Sequence, residues 1–166
     1  MRKILVAYFS AGGVTAGVAE RMAAAADADL FEIVPAKRYT AADLDWRNRQ
    51  SRSSLEMQNR ASRPALANAP DLAGYDLILV GFPVWWYREP SIIDTFLESA
   101  DFTGKTVVPF CTSGGSGLGD SAKNFQALAP GAVVLPGKRF SASASYEELN
   151  AWVAELGRKT PGKPTL

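Results

Sequence analysis

The stretch that decides the fold is Ile4-Leu5-Val6-Ala7-Tyr8-Phe9-Ser10-Ala11-Gly12-Gly13-Val14-Thr15, near the start of the chain. Its continuous apolar run, residues 4–9, is typical of a strand buried on both faces of a parallel sheet. The two glycines then predict a tight turn, and an amphipathic helix is expected over residues 15–26. A strand, a glycine-rich loop and a helix in this order can bind an anion, because backbone N–H groups and the helix dipole converge on one point.

The loop of residues 10–15 has the composition of a phosphate site that uses no basic side chain. Ser10 and Thr15 offer hydroxyl donors, and the small residues between them let an anion approach. The GxxxxGK[ST] pattern of nucleoside triphosphatases is absent, and so is the GxGxxG pattern of dinucleotide-binding proteins. From this loop alone, a plain strand-to-helix turn is an equally good interpretation.

Strand and helix patterns alternate along the rest of the chain, which predicts a doubly wound α/β fold with a parallel sheet. Its 166 residues are enough for one domain, to which we assign residues 1–158, with residues 159–166 as a frayed tail. The polar segment 36–69 interrupts the rhythm. Further strands are expected at residues 30–34, 77–82, 107–110 and 132–135, and helices at 53–60, 91–100, 120–128 and 146–156.

Composition excludes several classes of function. The chain has no histidine, which rules out Ser-His-Asp hydrolysis, Cys-His proteolysis and HExxH zinc sites. We predict no metal site, and chemistry supplied by an organic cofactor becomes more attractive.

The single cysteine, Cys111, is expected in the core. A formal net charge of +1 gives no general attraction to nucleic acid, and no apolar stretch is long enough to span a membrane. A cytoplasmic location is the expectation.

Two further segments follow predicted strands. Gly81-Phe82-Pro83-Val84-Trp85-Trp86-Tyr87-Arg88-Glu89-Pro90 places three adjacent aromatic residues in a loop between prolines. Such side chains form flat apolar walls for a planar ligand, although a cap over the core is the alternative. Thr112-Ser113-Gly114-Gly115-Ser116-Gly117-Leu118-Gly119-Asp120-Ser121 offers an open backbone that can lie against the edge of a ring. With strand order 2-1-3-4-5 the three loops are neighbours, and together they suit the phosphate, ring face and ring edge of flavin mononucleotide (FMN).

These three segments, in this order, resemble the flavodoxin family, and in particular its bacterial flavodoxin-like branch with Trp-Trp after the third strand. Tyr39, Trp46, Ser51-Arg52, Glu56 and Arg63-Pro64 are similar to the polar segment of that branch. The resemblance implies a five-stranded parallel sheet of order 2-1-3-4-5 with helices on both faces, and FMN as cofactor. Carried over by position, the cofactor-binding residues are Ser10, Gly12, Gly13, Val14, Thr15, Pro83, Val84, Trp85, Trp86, Tyr87, Thr112, Ser113, Gly114, Gly115 and Gly117.

The phosphate loop departs from the family pattern Ser-x-Thr-Gly-Asn-Thr, because Gly12 replaces the threonine and Val14 the asparagine. Two side-chain donors are lost, so we predict weaker FMN binding than the usual loop would give. The resemblance implies that in carrier flavodoxins a peptide flip near the flavin, eased by glycine, favours the one-electron state. Residues 84–89 contain no glycine, so a positive φ is costly there, and we predict two-electron chemistry.

Three functions stay open at this point. The first is an FMN protein of electron transfer or oxidoreduction, in which the flavin carries the chemistry and no side chain is catalytic. The second is an NAD(P)H-dependent FMN quinone reductase of the same fold. Segment 37–63 has seven basic and three acidic residues, a charge suited to cofactor phosphates or to an acidic redox partner protein. The third is a flavin-free domain that binds a partner.

Overall fold

The computed structural model describes residues 3–160, which form six strands and five helices. In chain order these are β1 Ile4–Tyr8, α1 Val14–Ala26, β2 Asp29–Glu32, α2 Arg52–Gln58, β3 Leu77–Pro83, α3 Ser91–Glu98, β4 Thr106–Thr112, α4 Ser121–Leu128, β5 Val133–Val134, β6 Lys138–Phe140 and α5 Tyr146–Lys159. None of the helices in this part of the chain has the length and apolar character needed to cross a membrane.

The strands form one parallel sheet in the order β2-β1-β3-β4-β5, which confirms the predicted order. Along β3 the side chains alternate between the two faces. Leu77 and Leu79 lie in the core under α1 and α5, whereas Ile78 and Val80 lie in the core under α3 and α4. Helices therefore cover both faces, as expected for a doubly wound sheet.

The fifth position of the sheet differs from the prediction of one strand over residues 132–135. Val133–Val134 pairs with the start of β4, and Lys138–Phe140 pairs with its end, with the register shifted by one residue between them. Pro136 has no N–H to donate. A Cβ on Gly137 would lie 1.9 Å from the carbonyl oxygen of Pro109, so the chain passes too close to β4 for ordinary pairing. The interruption splits the strand, and its second piece, β6, reaches the carboxyl edge of the sheet.

Other predicted boundaries move by one to three residues. α5 continues to Lys159, three residues beyond the predicted end, and Thr160 after it is buried. The Ser145 hydroxyl accepts a hydrogen bond from the N–H of Glu148 (3.1 Å), and basic residues occupy the last turn, so the helix is stabilised at both ends. Residues 161–166 of the predicted tail lie outside the described residues. The short helix in the polar segment is α2, one to two residues from its predicted bounds.

Candidate functional site

The loops after β1, β3 and β4 meet at the carboxyl edge of the sheet. The register places Tyr8 beside Gly81 and Pro83 beside Thr112, so the three strands end close together. Their loops line a cleft of about 750 Å³, which we call the phosphate cleft. It brings together ten of the residues predicted from the sequence: Ser10, Gly12, Val14, Thr15, Pro83, Val84, Trp85, Thr112, Ser113 and Gly114.

The phosphate loop is shaped to receive an anion at the start of α1. Gly13 has a φ of 92°, which glycine adopts without steric cost, and its N–H donates to the Ser10 hydroxyl oxygen (3.1 Å). That bond leaves the Ser10 hydroxyl hydrogen free to donate to a ligand. The first N–H groups of a helix have no intrahelical acceptor, and the first turn of α1 holds no acidic residue. Backbone N–H donors and the helix dipole would therefore bind an anion at this position.

A buried hydroxyl pair joins this loop to the loop after β4. The hydroxyl oxygens of Thr15 and Thr112 are 2.7 Å apart, and both side chains are almost fully buried. Only one of their two hydroxyl hydrogens is used in that bond, so the pair has one left to donate. Thr15 thus holds the two loops together besides lining the cleft.

Residues 85–88 form a tight hairpin turn, which we call the aromatic turn. Trp85 and Arg88 exchange two backbone hydrogen bonds, of 3.0 and 3.2 Å. Between them, Trp86 and Tyr87 have φ values of 49° and 68°. Turns with two left-handed residues usually contain Asn-Gly, because bulky residues pay a steric cost there. The sequence predicted that a positive φ would be costly in this glycine-free loop, and the structure nevertheless has two in succession, so the turn is strained.

The two indoles of the aromatic turn have different surroundings. Trp85 is half-buried and meets the rings of Phe9 and Tyr39 edge-on, with centroid distances of 5.5 and 5.3 Å. Trp86 is 44% exposed and Tyr87 is 80% exposed. The turn therefore presents Trp85 as a fixed wall and directs its other two aromatic side chains toward solvent.

Tyr39, which supports Trp85, is itself held by the polar segment that the family resemblance singled out. Its hydroxyl donates to Glu56 (2.5 Å), and the Arg52 guanidinium lies 3.9 Å from the centre of its ring. Burial and the bond to Glu56 raise the pKa of Tyr39 far above its usual value. This hydroxyl stays protonated, and its role is to fix the wall.

A buried group of charges lies directly after the aromatic turn. Arg88 donates to Asp94 (3.4 Å) and to the carbonyl oxygen of Glu89 (3.1 Å). The fully buried Glu89 carboxylate accepts bonds from Ser121 (2.8 Å) and Asn124 (3.0 Å) of α4. These bonds attach the turn to both α3 and α4.

Asp94 of this group has a raised pKa. Burial raises its pKa to about 8, helped by a hydrogen bond with Glu89 and by the Glu89 charge, while Arg88 and Arg63 act in the opposite direction. Arg63 is shared with Glu98 on the exposed side. Asp94 Oδ1 has no hydrogen-bond partner among the described residues, and a proton on the Asp94 carboxyl supplies the donor for its hydrogen bond with Glu89.

We expect the free energy of unfolding of the wild-type protein to fall as pH rises. In the Asp94→Asn variant this fall should be absent. The folded state keeps the Asp94 proton up to about pH 8, whereas the unfolded chain releases it near 3.8. The folded state binds more protons between these values, so the free energy of unfolding falls as pH increases across that window. Urea unfolding of the cofactor-free protein at pH 5 and pH 8 measures this, with an expected difference between wild type and variant of at least about 1 kcal/mol.

Asp101→Asn is the matched control, because Asp101 is exposed and lies beyond the end of α3, seven residues after Asp94. It should keep the decline seen in the wild type. An Asp94→Asn protein whose stability still falls with pH by the wild-type amount would show that Asp94 is ionised in the folded state.

The fourth wall of the phosphate cleft was missed by the sequence analysis. Arg139 of β6 donates from Nε to the Ser113 hydroxyl (3.1 Å) and from a terminal nitrogen to the Ser113 carbonyl (2.9 Å). The residues missed in this cleft are Ala11, Leu44, Arg139, Ser141, Ala142 and Ser143. Ala11 lies within the phosphate loop, and all the others but Leu44 depend on β6. The Lys-Arg-Phe stretch of β6 is too short and polar to resemble a buried strand.

A second cleft of about 740 Å³ lies beside the first, and we call it the arginine cleft. It shares Leu44, Val84 and Trp85 with the phosphate cleft. Its other lining residues are Trp46, Arg47, Arg49, Ser53, Trp86, Tyr87 and Ser116. Trp86 and Tyr87, predicted as cofactor contacts, therefore line this cleft and not the phosphate cleft.

Three predicted site residues, Gly13, Gly115 and Gly117, line neither cleft. Gly13 acts through its backbone, by the bond to Ser10.

Cys111 is buried, as expected, and burial raises the pKa of its thiol to about 11. A buried thiol that stays protonated is a poor nucleophile, which agrees with the prediction that Cys111 is a core residue.

Comparison with known proteins agrees with this geometry. The sequence profile described as flavodoxin matches residues 3–156. The chain belongs to the flavodoxin family. In this family FMN binds where the strand order reverses, between β1 and β3, and that is where the phosphate cleft lies. No curated protein matches the sequence.

Solved structures resemble this flavodoxin-family chain over nearly its whole length. A protein from Bacteroides uniformis, assigned as a flavoprotein, is 50% identical with a TM-score of 0.86, over 92% of this chain and 98% of that chain. One from Bacteroides eggerthii, assigned likewise, is 44% identical with a TM-score of 0.88, over 95% and 99%. A flavoprotein from Lactobacillus acidophilus in complex with FMN is 25% identical with a TM-score of 0.68, over 92% and 99%.

Proposed function

We propose that this protein binds FMN in the phosphate cleft and works in electron transfer or oxidoreduction. The observation that carries the proposal is the convergence of a phosphate loop, an indole wall and a polar, glycine-rich loop on one cleft at the β1/β3 switch point. FMN supplies the redox chemistry when bound, so the protein needs no acid or base among its side chains.

The residues of the phosphate cleft offer suitable partners for the phosphate, the ring face and the ring edge of FMN. The start of α1 and the Ser10 hydroxyl offer donors for the phosphate, with no carboxylate in the first turn to oppose it. Trp85, braced by Phe9 and Tyr39, offers a rigid apolar face for the ring system. On the other side, the Ser113 main chain and Gly114 border the cleft, with Ser113 fixed by Arg139.

Titration of the purified protein with FMN tests the proposal. Binding should quench flavin fluorescence and give absorption bands near about 375 and 450 nm that remain with the protein through gel filtration. A protein that stays colourless at saturating FMN would contradict the proposal and support the flavin-free domain that binds a partner.

The second candidate is an NAD(P)H-dependent FMN quinone reductase, and the arginine cleft is the observation that favours it. A flavin that only exchanges electrons with a partner protein needs no second small-molecule pocket, whereas a reductase must also bind NAD(P)H and a quinone. Here a second cleft with two arginines and three exposed aromatic side chains adjoins the first. Steady-state oxidation of NADPH with a quinone acceptor would support the enzyme, and reduction only by a partner protein would support the carrier. For either one we expect a cytoplasmic location.

A further inference from the structure

We infer that the turn of residues 141–144, which we call the serine turn, is a second phosphate-binding element of this protein and is held in place by Arg21. The inference rests on the proposed function and deepens it, because it assigns phosphate contacts to residues outside the loop after β1. Ser141 and Ser143 act as donors to the phosphate, and Arg21 is the residue that positions them.

The phosphate loop has few side-chain donors of its own. A phosphate monoester carries nearly two negative charges and three strong acceptor oxygens. Within residues 10–15 only Ser10 and Thr15 have hydroxyl groups, and the Thr15 hydroxyl is buried and bonded to that of Thr112. Hydroxyl groups on another wall of the cleft would therefore add to the binding of the phosphate.

The serine turn brings two hydroxyl groups to the same cleft as the phosphate loop. Ser141, Ala142 and Ser143 all line the phosphate cleft, and all three are exposed. The hydroxyl oxygens of Ser141 and Ser143 lie 3.1 Å apart. One of their two hydroxyl hydrogens is used in that bond, so the pair has one left to donate to a ligand.

The backbone of the serine turn also offers donors. The Ala144 N–H donates to the Ser141 carbonyl oxygen (3.2 Å) and closes the turn. Within residues 3–160, the N–H groups of Ala142 and Ser143 donate to no acceptor. The lining of the phosphate cleft contains Arg139 and no acidic residue, so no carboxylate there opposes an anion.

The core fixes the position of this turn at both of its ends. Phe140, directly before the turn, and Ala144, its last residue, are buried in the core under α1 and α5. The turn therefore stays at the cleft when no ligand is bound. Donors that are already in place lose little conformational entropy when they bind a ligand.

Arg21 joins the serine turn to α1, the helix that begins at the phosphate loop. Its terminal nitrogen Nη2 donates to the Ala142 carbonyl oxygen (2.6 Å). In the part of the chain that the structure describes, its guanidinium forms no ion pair, and its buried Nε has no hydrogen-bond partner. A buried donor without a partner costs free energy, and such departures are expected where a residue serves a site.

Fluorescence titration with FMN and with riboflavin, which lacks the phosphate, tests the two serines. Ser141→Ala/Ser143→Ala should bind FMN at least about tenfold more weakly than the wild type, because a hydrogen bond to a charged group is worth roughly that much. Its affinity for riboflavin should be that of the wild type. The matched control is Ser141→Thr/Ser143→Thr, which keeps both hydroxyl groups at exposed positions and should bind FMN nearly as the wild type does.

The same titration tests the positioning role of Arg21. Arg21→Ala should weaken the binding of FMN and leave that of riboflavin unchanged, whereas Arg21→Lys, which can still donate to the Ala142 carbonyl, should recover most of the loss. In the Ser141→Ala/Ser143→Ala background Arg21→Ala should have little further effect, because it acts through the turn. Arg38→Ala removes one charge from an exposed position that lines neither cleft and should match the wild type.

Wild-type affinity for FMN in the Ser141→Ala/Ser143→Ala variant would overturn the inference and leave the proposed function intact. Equal losses of FMN and riboflavin affinity would show that the serine turn shapes the cleft without binding the phosphate, which also overturns it. A wild-type protein that binds neither flavin would contradict the proposed function, and the inference would fall with it.

Discussion

Gly119→Ala should weaken FMN binding at least about tenfold and lower the free energy of unfolding by about 2–4 kcal/mol. Gly119 has a φ of 56°, a conformation that costs alanine energy. A Cβ there would also lie 2.4 Å from the carbonyl oxygen of Tyr87, which is a backbone atom and cannot rotate away. The glycine loop and the aromatic turn would have to move apart, and Trp85 would move with the turn.

Two measurements on the same variant separate its effects. Urea unfolding of the cofactor-free protein gives the loss of stability, and FMN titration under conditions where the variant is folded gives the loss of affinity. Gly117→Ala is the control, because a Cβ there meets nothing within 4 Å and its φ is not left-handed. Gly117 lines neither cleft, so the control should match the wild type in both measurements. A Gly119→Ala protein that binds FMN as the wild type does would show that the position of the turn is unimportant for the cofactor.

Periodicity predicted the sheet because its central strands are long, continuous and apolar. The residues of β1, β3 and β4 are buried almost throughout, and such runs bounded by small residues predict parallel strands. The prediction of a single strand at the fifth position of the sheet failed for a local reason. Its hydrogen bonding is interrupted at Pro136 and Gly137, and β6 has one apolar residue in three. A pattern that short carries no periodicity, so the strand that positions Arg139 could be found only in the folded chain.

The sequence predicted the part of the candidate site whose residues directly follow a strand. Strand order alone brings the phosphate loop, the start of the aromatic turn and Ser113 together. The left-handed pair Trp86 and Tyr87 goes against local preference. Glu89, bonded to Ser121, anchors the chain after the turn, and Gly119 leaves room for the Tyr87 carbonyl oxygen. Such departures from local rules are expected where a site is built. Leu44 lies in a segment without regular structure, so its place over the sheet edge had no sequence signal.

The phosphate loop gives the second large prediction. Restoring the two donors of the family pattern, by Gly12→Thr/Val14→Asn, should tighten FMN binding by about 100-fold, since each hydrogen bond to a charged group is worth roughly tenfold or more. Both positions accept the change. A Cβ on Gly12 meets nothing within 4 Å, its φ is not left-handed, and Val14 is 50% exposed at the first position of α1.

The comparison of FMN with riboflavin, which lacks the phosphate, decides whether the gain comes from the phosphate itself. The double variant should bind riboflavin with wild-type affinity, because the new hydroxyl and amide reach only the phosphate end of the cleft. Gly12→Val/Val14→Leu has the same shapes without the donors and should bind FMN no more tightly than the wild type. An equal gain in FMN affinity in this control would mean that the larger side chains act by stiffening the loop and that the added donors make no difference. An equal gain for riboflavin would place the cofactor's phosphate elsewhere, and the start of α1 would then lose its assigned role.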